Sequence, residues 1–200
     1  ACFSLYAAHI VTTIEGGMIL TDCEKTADIL ESLRNHGMPG KFTFQRIGFS
    51  AKMNELEAAV GLGNIDIFQH ILETRRRNML YLIDRFRRFD EVFITLKEEP
   101  HEKLGPHAFS IILREGLSFT KDEFVACLEE KGIDSRNLFY SMPTQGPSYA
   151  FLGYKAGSFP EAEYCSDHGT HIGIHQDIDV SQLDYVVKVV EGFLKDKGVR

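Results

Sequence analysis

Phe3-Ser4-Leu5-Tyr6-Ala7-Ala8-His9-Ile10-Val11-Thr12-Thr13-Ile14-Glu15-Gly16-Gly17-Met18-Ile19-Leu20-Thr21 is the stretch on which the reading of this chain turns. A small hydroxyl residue, Ser4, precedes a histidine, His9, and the histidine is followed by Glu15-Gly16-Gly17 and a short apolar strand over residues 17–21. Side-chain chemistry bounds what each position can do. An imidazole takes or gives a proton near neutral pH, because its unperturbed pKa is about 6.5, but it cannot form an imine with an aldehyde as a lysine amine does. Ser4 suits an anionic oxygen, since a hydroxyl donates one hydrogen bond and neighbouring backbone N–H groups add theirs. Gly16 and Gly17 permit close backbone approach, and Glu15 either polarises a nearby group or faces water.

The stretch resembles the Schiff-base segment of the DegT/DnrJ/EryC1/StrS sugar aminotransferases, which are fold-type I pyridoxal-phosphate enzymes. In that family the pattern is Ser-Phe-x-x-x-Lys, then after a few residues Gly-Glu-Gly-Gly and a short apolar strand. Ser4 and Glu15-Gly16-Gly17 fit it, and His9 stands where the lysine belongs. The resemblance implies the branch of sugar 3-dehydratases that carry histidine at this place and hold the cofactor non-covalently as pyridoxamine 5'-phosphate, an amine counterpart of pyridoxal 5'-phosphate. It further implies that His9 is the catalytic acid/base for loss of the C3 hydroxyl from a 4-keto-6-deoxy nucleotide sugar, in surface-polysaccharide or deoxysugar synthesis. Two other readings stay open: a nucleotide-sugar aminotransferase whose lysine has been replaced, and a non-catalytic half-protein that binds a sugar nucleotide or stabilises a dimer.

A second motif follows. Ile47-Gly48-Phe49-Ser50-Ala51-Lys52-Met53-Asn54-Glu55-Leu56-Glu57-Ala58-Ala59 is similar to the family's Gly-(Tyr/Phe)-Asn-x-(Arg/Lys)-Met-x-(Glu/Asp)-(Leu/Met)-Gln-Ala-Ala. There the Asn reaches across a dimer interface to the cofactor phosphate of the neighbouring subunit, so the resemblance implies a homodimer and makes Ser50 a cofactor-binding candidate beside Ser4. Ser50 keeps one donor but has shorter reach than Asn. The resemblance also makes the chain the second half of such an enzyme. The half before it would hold the aspartate that pairs with the pyridine nitrogen and the ring that stacks on the cofactor. The expected fold is α/β: the C-terminal part of a fold-type I large domain with its connecting helix over residues 1–90, and a small α+β domain over 91–200.

Composition sets limits that agree with this. With 44% apolar and 26% charged residues in 200, the chain can bury a core. A net charge of −7 lacks the basic excess that draws proteins to nucleic acid or anionic membranes, and no apolar run is long enough to span a bilayer, so a cytoplasmic protein is expected. Cys2, Cys23, Cys127 and Cys165 are scattered, which favours neither a metal site nor a disulfide framework.

Periodicity supplies the elements. Thr21 and Glu24 have capping-box spacing before a helix with Ile29, Leu30 and Leu33 on one face, closed by Gly37. Residues 66–89 read as one long helix with Ile67, Ile71, Leu72, Leu80, Ile83 and Phe86 as its apolar series, and Arg75-Arg76-Arg77 as a solvated face. A strand is expected at Ala108–Leu113, a helix from Thr120 to Gly132, strands at Ile133–Leu138 and His171–His175, and a last amphipathic helix capped by Ser181. His36, His171 and His175, with Arg34 and Arg136, are the candidates to bind the pyrophosphate of a nucleotide sugar, and Arg34, His36 and His175 are put forward for it, His175 first.

Overall fold

The computed structural model describes residues 1–138 and 142–199, which form two compact units, Ala1–Gln69 and His70–Arg200. The division falls some twenty residues before the boundary expected at 90, because the long helix packs its apolar face into the second unit's core.

In the first unit, β1 (Cys2–Ser4) pairs antiparallel with β2 (Gly17–Ile19), Ser4 opposite Gly17. Two helices follow, α1 (Glu24–Arg34) and α2 (Glu55–Asp66). The Thr21–Glu24 capping box does not form. Thr21 Oγ1 instead accepts the N–H of Cys23 at 3.2 Å, a local turn that uses up the hydroxyl, and α1 starts at Glu24 with Cys23 as an N-cap lacking a side-chain bond. Gly37 does serve the C-terminal end: at φ +79° it donates to Ser32 O over 2.7 Å. A full capping box opens α2, where Asn54 and Glu57 satisfy each other's backbone N–H groups.

The helix expected over 66–89 is α3 (Phe68–Phe86), which follows directly on α2 and runs into a short 3-10 turn at Arg87–Phe89. Its buried face is Ile71, Thr74, Arg75, Asn78, Met79, Leu82 and Phe86, so the arginine run is not a uniformly solvated face. Arg75 is buried, Arg76 is paired with Glu98, and only Arg77 is exposed. Apolar periodicity cannot reveal a buried arginine whose aliphatic stem packs while its guanidinium finds a hydrogen bond.

The second unit carries an antiparallel sheet in the order β3-β4-β6-β5, built from β3 (Phe93–Thr95), β4 (Ala108–Leu113), β5 (Ser135–Asn137) and β6 (Gly169–Gly173). Burial alternates along β4, with Phe109, Ile111 and Leu113 inward. The helices α4 (Lys121–Glu130), α5 (Pro160–His168) and α6 (Val180–Asp196) complete it. The expected capping box of Thr120 and Glu123 opens α4. On α6 the cap is Asp179 rather than Ser181, because the Asp179 carboxylate accepts both Gln182 N–H at 3.0 Å and the Ser181 hydroxyl at 2.7 Å. Leu183, Val186, Val187, Val190 and Phe193 of α6 are buried as the spacing requires. β3 and α5 were not foreseen, and residues 139–141 of the Pro- and Gly-punctuated stretch up to 160 lie outside the described residues.

An aromatic cluster fills this core. Phe86 and Phe109 meet at 5.0 Å, Phe93 and Phe124 at 5.1 Å, Phe119 and Phe193 at 4.8 Å between ring centroids. Burying each such side chain contributes about 1.5–3 kcal/mol, which holds the sheet against α3, α4 and α6. Among the described residues no helix is long and apolar enough to cross a membrane.

Candidate active site

The β1–β2 pair closes a loop from Leu5 to Gly16, and His9 stands in that loop. Its mouth is fixed by Leu5 N–H donating to Gly16 O at 2.9 Å and Thr13 N–H to Leu5 O at 2.9 Å. Inside, His9 N–H donates to Tyr6 O at 3.0 Å, and the Tyr6 and His9 rings meet edge to face at 6.4 Å. Ser4 Oγ accepts Tyr6 N–H at 3.3 Å, and the exposed hydroxyl keeps its own hydrogen for another acceptor. Two tight positions shape the far side. Ile14 holds φ +74°, a strain of about 1–3 kcal/mol for a β-branched residue, supported by its N–H donating to Thr12 Oγ1 at 2.9 Å. A Cβ on Gly16 would lie 2.4 Å from Thr13 Oγ1, so only glycine fits the Glu-Gly-Gly turn here.

The second motif supports this loop. Thr12 N–H donates to Asn64 Oδ1 of α2 at 3.0 Å, Thr13 Cγ2 would meet a Cβ on Gly61 at 2.6 Å, and Met53 Cε would meet one on Gly16 at 2.9 Å. Asn64, Gly61 and Met53 are therefore part of the scaffold, and the sequence reading did not single them out for it. A signal was available, since Gly61 and Asn64 are poor helix formers placed inside a helix.

Ser50, Arg34 and His36 come together. Asn35 and Ser50 form an antiparallel bridge, Ala51 N–H donates to Arg34 O at 3.1 Å, and His36 N–H to Phe49 O at 2.8 Å. His36 takes φ +60° to make this turn, and Gly48 approaches so closely that an added Cβ would sit 2.0 Å from Gly37 N. The Arg34 guanidinium is on the surface, 4.0 Å from Glu31. Arg46 Nη1 donates to Ser32 Oγ at 2.8 Å and ties the excursion back to α1.

His175 belongs to the second unit and lies past the end of β6, in a loop rather than in the expected strand. Asn78, fully buried on α3, donates through Nδ2 to His175 O at 3.0 Å and Ile178 O at 3.2 Å. Arg75 Nε donates to Gln176 Oε1 at 3.1 Å, and burial lowers its guanidinium pKa. The His175 ring is half exposed, and its Nδ1 lies 3.3 Å from both the backbone N and the Oδ2 of Asp177. Ser4, His9, Arg34, His36 and Ser50 thus lie in one unit and His175 in the other.

The DegT/DnrJ/EryC1/StrS aminotransferase family model matches residues 1–191. The chain belongs to that family. GDP-perosamine synthase of Caulobacter vibrioides is 30% identical over 97% of the chain and 52% of its own length. GDP-4-keto-6-deoxy-D-mannose 3-dehydratase of Yersinia pseudotuberculosis is 28% identical over 90% of the chain and 50% of its length. The chain therefore spans about half the length of the curated relatives it matches. Among solved structures, GDP-4-keto-6-deoxy-D-mannose-3-dehydratase of Escherichia coli with bound hydrated PLP superposes with a TM-score of 0.79 at 23% identity, covering 94% of the chain and 53% of that protein. The α/β fold of this family's pyridoxal-phosphate enzymes is thereby shown.

Proposed function

We propose that the protein containing this chain uses pyridoxamine 5'-phosphate to remove the C3 hydroxyl of a 4-keto-6-deoxy nucleotide sugar, with His9 as acid/base. The observation that carries this reading is an imidazole in the β1–β2 loop at the place where the family's pattern has lysine. The donor set fits such a cofactor: a ring that cannot condense with an aldehyde suits the amine form held non-covalently, and the exposed Ser4 and Ser50 hydroxyls suit its phosphate. When bound, the cofactor would supply an acidic carbon–hydrogen bond and a sink for electrons.

The chain's own residues would do the rest. The His9 imidazole would take and return a proton, its backbone held by Tyr6 O and its ring bordered by Tyr6. The Thr12–Asn64 bond would keep the loop from drifting as the ring changes charge. Arg34, His36 and His175 are proposed to meet the diphosphate of the sugar nucleotide, and a homodimer to complete each cofactor site through Ser50. The relative named a GDP-perosamine synthase keeps a second reading in view: an aminotransferase in which His9 replaces the lysine.

Full-length protein is to be given pyridoxamine 5'-phosphate and a nucleotide-linked 4-keto-6-deoxyhexose, and the sugar followed by mass spectrometry and proton NMR. Loss of one oxygen at C3, falling about 10²–10⁴-fold in His9→Ala, supports the proposal. An untouched sugar with wild-type protein, together with amino transfer from glutamate by His9→Lys, overturns it in favour of the second reading.

A further inference from the structure

In the second unit, both ends of the segment from Gln145 to Phe159 are tied to one side chain, the Glu163 carboxylate in the first turns of α5. At the near end, Gln145 Nε2 donates to Glu163 Oε1 at 2.6 Å and to Lys155 O at 2.7 Å. At the far end, Gly157 N–H donates to both carboxylate oxygens, at 3.0 and 2.8 Å, and Phe159 N–H donates to Oε1 at 3.0 Å. Gly157 takes φ +86° in this turn, a conformation that favours glycine. Hydrogen bonds to an ionised acceptor are roughly twice as strong as those between neutral groups, so this one carboxylate is a firm tie.

Packing adds little to it. Among the described residues, none from 142 to 159 is buried, and none belongs to the hydrophobic cluster. The order inside the segment is local: two 3-10 turns, Pro143–Gln145 and Pro147–Leu152, and a turn in which Ser158 N–H donates to Lys155 O and Lys155 N–H to Ser158 Oγ, each at 3.0 Å. Its tip leaves Tyr149, Phe151, Leu152 and Tyr154 exposed. Glu163, by contrast, stands on a fixed platform. The next residue, Tyr164, donates its hydroxyl to Leu113 O of β4 at 2.8 Å and stacks on His168 at 4.2 Å, so α5 is fastened without help from the segment. Compact surface loops whose ends adjoin behave as units, and a unit that buries little apolar surface opens at small cost.

We infer that residues 145–159 are a strap that closes on the Glu163 carboxylate and opens as one body, carrying the exposed aromatic tip of Tyr149 and Phe151 with it. The device is built from the second unit alone and does not rest on the function proposed for His9.

Full-length protein is to be followed by amide hydrogen exchange, read at single residues by mass spectrometry. The deciding amides are those of Tyr149 and Gly153, which donate to Gly146 O at 2.9 Å and Ala150 O at 3.1 Å and so do not depend on Glu163 directly. Expected are protection at both in the wild type, exchange about tenfold or more faster at both in Glu163→Gln, and no change in Phe151→Ser. Exchange in β4 should stay as in the wild type, which shows that the sheet remains folded. If Glu163→Gln loosens β4 as well, Gln145→Ala, which removes only the near tie, takes its place with the same expectation. No protection at Tyr149 and Gly153 in the wild type, an effect absent or confined to Gly157 and Phe159, or equal acceleration in Phe151→Ser would each overturn the inference.

Discussion

The unit from Ala1 to Gln69 and the unit from His70 onward hold themselves together by different means. Every side chain of the buried hydrophobic cluster comes from the second, from Met79 to Leu194. In the first, the buried side chains are Thr13 and Ser32, whereas Ile47 is 90% exposed, Leu56 80% and Phe42 76%. Its folding rests on turns: the Leu5–Gly16 mouth, the Asn35–Ser50 bridge and the Asn54–Glu57 box. An apolar surface of that extent marks contact with other protein surface. Under the proposed function, a preceding half-enzyme and a second subunit would provide it. On that proposal, the chemistry would sit on the unit with the least buried core of its own, and its geometry would be completed only on assembly.

The comparison can be broken most sharply in the core. Phe86→Ala should cost about 3–5 kcal/mol in urea unfolding of the second unit, while Phe42→Ala stays within about 0.5 kcal/mol; equal costs would dissolve the contrast. Next in size is Asn78→Ala, which leaves the carbonyls of His175 and Ile178 without their donor and should cost about 1–3 kcal/mol, with faster amide exchange across residues 175–178 as the local readout.

The smallest effect concerns pH. Glu98, held low mainly by Leu104 N–H and then by Arg76, Glu123 by Lys197, Glu163 by Gln145 and Asp179 by Ser181 all lie below the usual carboxylate range, and all belong to the second unit. Their folded pKa values are below the unfolded ones, so the stability they add is present above about pH 4.3 and is lost as pH falls through the folded values. Melting temperature of the second unit, followed from about pH 7 to about pH 3, should decline, and less steeply in Glu123→Gln. A variant curve parallel to the wild type would show that the Lys197 pairing adds nothing.

Where chemistry was local, the sequence could be read closely. Thr120–Glu123, Ala108–Leu113 and the apolar stripe of α6 follow from spacing alone. Thr21–Glu24 has the same spacing as Thr120–Glu123 but fails, because the Thr21 hydroxyl is taken by Cys23 N–H. Arg75 and Asn78 look like surface residues in any helical pattern, and their burial depends on partners near residue 176, about a hundred positions away. The roles proposed for Ser4, His9 and Ser50 come from a family pattern and not from spacing. That Asn64 and Gly61 steady the loop was not legible, since it requires α2 to pack beside it.

The sheet order carries a consequence for how the chain is made. β3 and β4 are neighbours in both sequence and space, so their ladder can close early, but among the described residues β5 pairs only with β6, which is synthesised more than thirty residues later. A ribosome therefore releases β5 before its partner exists, and the short Ser135–Asn137 segment must wait with its backbone open. Three residues with an arginine at the centre make a poor template for stray pairing, which suits a strand that spends part of its youth unattended.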